Sequence, residues 1–89
     1  MEYTVTLRAN DSPDGWRTVR TTKAEDLDGA ISLIEGFTEL AISRNQVSWS
    51  GEMPDAMGML DGTTSDGSLW QITVEPPFTL TEHTLTDDD

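Results

Sequence analysis

Carboxylates are the one side-chain class plentiful enough in this 89-residue chain to act together: seventeen Asp and Glu face five Lys and Arg and a single His, for a formal charge of -12. Glu52, Asp55, Asp61 and Asp66 crowd one segment. Acids at that density could hold a cation or flank a scissile bond. The spacing supplies neither arrangement. Asp61-Gly62-Thr63-Thr64-Ser65-Asp66-Gly67 lacks the alternating ligands and distant glutamate of a calcium loop, and it lacks the terminal Gly-Lys of a phosphate-binding loop. Turn formation and solubility are the simpler reading of these acids.

Nucleophilic catalysis needs a nucleophile, a base titrating near neutrality and a group to orient that base. The chain has no cysteine, no serine in a Gly-x-Ser-x-Gly elbow, and one histidine, His83, in a polar stretch between Glu82 and Thr84. A domain of this length buries one thin core and is expected to lack a ligand cavity of about 300–1,000 Å³. The expectation is therefore a protein that is not an enzyme and carries neither cofactor nor metal.

Charge narrows the partner. So acidic a surface repels phosphates and anionic lipid, so a steered partner is basic, and direct binding to nucleic acid or membrane is not expected. Arg8, Arg20 and Trp16 form the one aromatic-plus-basic group, and two arginines in such a field are too few for a nucleic-acid platform. Glu25, Asp28, Glu35 and Glu39 fall on one side of an expected helix, and the carboxylates from 28 to 39 span about 16 Å, the reach of two or three phosphates along a strand. A protein offering such a row to a basic groove competes there with nucleic acid, as antirestriction and anti-CRISPR proteins of phages and mobile elements do; the analogy is one of class, since no family motif is present. The candidate partner-binding residues are these four together with Glu52, Asp55, Asp61 and Asp66. The competing reading is a passive structural or accessory domain whose acidity reflects solubility or a halophilic source.

These residues need elements to position them. Tyr3, Val5 and Leu7 alternate with polar neighbours as in a half-buried strand; the turn-rich run Asn10 to Gly15 and a second strand over Trp16 to Thr21 complete a hairpin. Thr22 and Glu25 have the spacing of a capping box, which predicts a helix over residues 23 to 43 with Leu27, Ala30, Ile31, Ile34, Phe37, Leu40 and Ala41 on one stripe and Arg44-Asn45 near its end. Val47 and Trp49 mark a third strand, and Trp70, Ile72 and Val74 a fourth, stopped by Pro76-Pro77. Between them, Glu52 to Leu60 is expected to hold one helical turn and Asp61 to Gly67 a loop; Met53, Met57 and Met59 are read as core filler. Phe78 to Thr81 is a candidate short edge strand. The fold class that follows is α+β: a single two-layer domain over residues 1–86 in the order ββαββ, a mainly antiparallel sheet with one helix on one face, and a solvated acidic tail at 87–89. Tyr3, Val5, Leu7, Val19, Val47, Trp49, Trp70, Ile72 and Val74 are expected to meet the helix, leaving Arg8, Arg20, Gln71 and Thr73 on a wet face. The first residues show no basic leader and no long apolar run, so a cytoplasmic protein is expected.

Overall fold

The computed structural model describes residues 1–78. Strands β1 (Tyr3–Asn10) and β2 (Arg17–Ala24) precede helix α1 (Leu27–Asn45), and β3 (Ser48–Trp49), β4 (Met59–Thr63) and β5 (Leu69–Glu75) follow it. The five strands form one antiparallel sheet in the order β2-β1-β5-β4-β3. The fold is thus α+β, with the helix packed on one face of an open sheet. Alternation explains the layers: Tyr3, Val5, Leu7 and Ala9 are buried at every second position of β1, and Trp70, Ile72 and Val74 do the same on β5. Ala30, Ile34, Phe37 and Ala41 answer from the helix at three- and four-residue intervals.

Several expectations are corrected. The helix is not capped by Thr22 and Glu25. Thr22 lies within β2 opposite Val5, and the cap is Asp26, whose carboxylate accepts from the Gly29 N–H at 2.8 Å. Pairing with β1 holds the chain extended through Ala24, opposite Tyr3, so the helix starts later than the threonine spacing implies. At the other end the left-handed residue is Gln46 and not Asn45; its N–H donates to Ile42 O at 3.0 Å, and Val47 N–H reaches Ala41 O at 3.4 Å.

Val19 does not join the core. Leu7 pairs with Arg20 and Arg8 with Thr18, so Val19 is the extra residue of a bulge and is 36% exposed. The same register puts Arg20 on the helix side of the sheet, opposite Leu7, and not on the wet face. The segment from Glu52 to Gly67 holds a strand where a helical turn and a loop are expected. Asp61-Gly62 has turn composition, yet Gly62 sits inside β4 because a Cβ there would lie 2.7 Å from both Trp49 Cε3 and Val47 Cγ1. The true turn is shifted to Thr64–Ser68, where Gly67 N–H donates to Thr64 O. Of the methionines, Met53 is partly buried against the core, Met59 half-buried and Met57 76% exposed, so core filling fails for Met57. Phe78 packs edge-on against Tyr3, ring centroids 5.7 Å apart. Thr79 to Thr81, His83 and the acidic tail lie outside the described residues.

Candidate partner-binding surface

Among the eight candidate acids the fold separates two groups. Asp28, Glu35 and Glu39 are exposed on α1, and their spacing of seven and four residues keeps them on one stripe. Glu25 is exposed but lies before the helix, in the turn after β2. Glu52 comes from the segment after β3, yet it borders the same groove as Glu35 and Glu39. These three carboxylates, from two segments, are what the fold brings together.

Asp55, Asp61 and Asp66 have local duties instead. Asp55 Oδ1 accepts from the N–H groups of Met57 at 2.9 Å and Met59 at 3.2 Å, closing the turn into β4. Asp66 accepts from the Thr64 hydroxyl and, at 3.0 Å, from Ser68 N–H; with the hydroxyl the larger influence, these bonds hold its carboxyl below the ordinary aspartate range. Asp61 faces Gln71 across β4 and β5, and the Gln71 amide donates to it at 3.3 Å.

Gln71, expected to stand in water, is 8% exposed and belongs to a chain of polar contacts across the open face of the sheet. Arg8 donates to Gln71 Oε1 at 3.5 Å and stacks over Trp16, 5.2 Å from the ring centroid. The arginine is thus matched with an amide and an indole. Arg17 is the cation that meets a carboxylate closely, holding Asp11 through two bonds of 2.9 and 2.7 Å and lowering its pKa.

The groove lies between α1 and the β3 end of the sheet and measures about 720 Å³. Its walls include Ile31 and Ile42, which are eleven residues and three turns apart on the helix, and Val47, Trp49 and Met53 opposite. Ile42 is 51% exposed, so the space opens to solvent rather than forming an enclosed cavity, but a recess of this size is more than the chain length leads one to expect. The Trp49 indole donates to Thr38 O at 3.3 Å, which pins the floor to the helix. Gly62 behind it lets β4 approach, as its steric contacts require. Sequence reading misses this apolar lining, although the three-turn separation of Ile31 and Ile42, off the centre of the buried stripe, is a signal for it.

Among the described residues no three His, Cys, Asp or Glu side chains are grouped to hold a metal ion, and no helix is long and apolar enough to cross a membrane. The chain matches no protein-family model, no curated protein and no solved structure.

Proposed function

We propose that this chain is a small, non-enzymatic protein-binding module that docks its acidic helix on a basic nucleic-acid-binding protein and competes there with nucleic acid. The observation that carries the reading is the exposed row of Asp28, Glu35 and Glu39 on α1, none of which is drawn into a hydrogen bond or ion pair of its side chain among the described residues. Acids with structural work, such as Asp26 and Asp55, are bonded to backbone N–H groups; these three are left to solvent. At 1.5 Å per residue the row extends about 16 Å, a length suited to a groove that reads successive phosphates. A phage or other mobile element would use such an inhibitor in the cytoplasm.

The test is capture from a host lysate followed by competition with nucleic acid. The expected result is a basic protein that is retained at low salt, displaced by DNA or RNA, and lost when Glu35 and Glu39 are both changed to lysine. If the double variant retains its partner as tightly as the parent, the helix row is only a solvated face. Retention of nothing that also binds nucleic acid would leave the passive-domain reading in possession.

A further inference from the structure

The groove beside the acidic row is itself unclaimed, and it combines two chemistries that a bare acidic helix face lacks. Ile31, Ile42, Trp49 and Met53 make an apolar floor and wall, while Glu35, Glu39 and Glu52 stand around it with no basic residue among those that line it. β3 ends the sheet on this side, so no further described strand covers the opening. Half of Ile42 remains in water on a helix whose other aliphatic residues are buried or half-buried. We propose that this groove takes an extended segment of the protein partner in which arginine or lysine alternates with an aliphatic side chain. The proposal rests on the docking reading above and deepens it.

Charge selects this occupant. Residues 79–89 of the chain itself contribute Glu82 and Asp87 to Asp89 against one histidine, the wrong sign for a rim of three carboxylates. In a second copy the basic residues gather mostly on the β2 edge, with Arg17, Arg20 and Lys23, and that copy would bring a further charge of -12 with it. A basic segment with alternating side chains meets both features at once. Along a strand, successive side chains point to opposite sides, so one set enters the groove and arginine stems reach over Ile42 to the carboxylates. The distance from Ile31 to Ile42 along the helix, about 16 Å, is covered by roughly five extended residues.

The probes are two short capped synthetic peptides of equal charge, one alternating Arg and Leu, the other alternating Arg and Ser, titrated calorimetrically into the full chain at low salt. The Arg-Leu peptide is expected to bind about tenfold more tightly, since one leucine side chain leaves water. Ile42→Ser, at an exposed position that should leave the fold intact, is expected to abolish that advantage while leaving Arg-Ser binding unchanged; Glu35→Gln with Glu39→Gln should weaken both. Equal affinities in the parent, or an advantage that survives Ile42→Ser combined with Met53→Ser, would overturn the groove and leave the docking of the acidic row standing. Failure of both peptides to bind would overturn both. A Leu-dependent advantage in a protein that captures no nucleic-acid-binding partner would keep the groove and discard the competition reading. Sedimentation that shows self-association, reversed by Ile42→Ser, would assign the groove to a second copy and overturn the proposal.

Discussion

Glu35 and Glu39 stand one helical turn apart and carry the same sign, an arrangement that costs an exposed helix about 0.2–0.5 kcal/mol. Among the described residues neither carboxylate has a side-chain hydrogen bond or ion pair, which distinguishes them from Asp55 and Asp66, whose oxygens satisfy backbone N–H groups in tight turns. The two kinds of acid should therefore respond oppositely to substitution. Glu39→Lys removes the repulsion and puts a cation four residues after Glu35, the favourable order for such a pair. A gain of roughly 0.5 kcal/mol, or about 2–4 °C in Tm for a domain of this size, is expected in a thermal melt. Binding to a captured partner should fall in the same variant. A stability gain with undiminished binding would show the row to be a solvated face, and a stability loss would show that Glu39 has a structural partner after all.

At the level of elements, the helix start is where competing local signals meet. Thr22 and Glu25 have capping-box spacing, but four residues on from Thr22 an aspartate, a residue type that caps at least as well, sits beyond the last pairing of β2 with β1. Asp26→Ala should consequently lower stability by about 1 kcal/mol, while Thr22→Ala, in an exposed edge strand, should cost clearly less; urea unfolding of the two variants decides between the caps. Glu25→Lys also becomes a cleaner probe of surface charge, since the helix does not use Glu25 as a cap. The layers, the helix and the strands β1 and β5 are legible from periodicity because each has enough residues to show its period, whereas β2 is legible only as a β-forming run after a turn, its burial pattern broken by the bulge at Val19. β4 is not, because its five residues include Asp61-Gly62, whose turn-like composition is overruled by the close approach of Trp49 and Val47. The groove is hidden for a related reason. Its residues come from α1, from β3 and from the loop to Met53, which the left-handed turn at Gln46 and the Trp49 bond to Thr38 O bring together. Of the candidate acids, the helix row could be read from spacing alone, whereas the position of Glu52 beside it and the local duties of Asp55, Asp61 and Asp66 depend on tertiary contacts.

Across the whole molecule the few cations are segregated. Arg8 lies on β1, Arg17, Arg20 and Lys23 lie on β2, and only Arg44 lies on the helix, out of five basic residues in all. β2 is one edge of the sheet and β3, beside the acidic groove, is the other. The positive charge at the β2 edge protects a long exposed strand from pairing with another chain, as edge lysines and arginines commonly do. It also leaves the opposite side without internal neutralisation, so self-repulsion there works against the compact state. Added salt should relieve that repulsion and weaken docking over one and the same range. The screening length falls from about 10 Å at 0.1 M to about 3 Å at 1 M, and along the helix axis Glu35 and Glu39 are separated by about 6 Å and Asp28 and Glu35 by about 10 Å. Relief should thus be largely complete by a few tenths molar, giving a Tm that rises from low salt and then levels off while affinity for a basic partner drops. A halophilic protein would differ in the upper range, gaining stability all the way to molar salt. Melts at low, intermediate and molar sodium chloride, run beside a binding titration at the same concentrations, separate the two: a plateau paired with falling affinity fits docking by charge, and a continuing rise assigns the acidity to solvation.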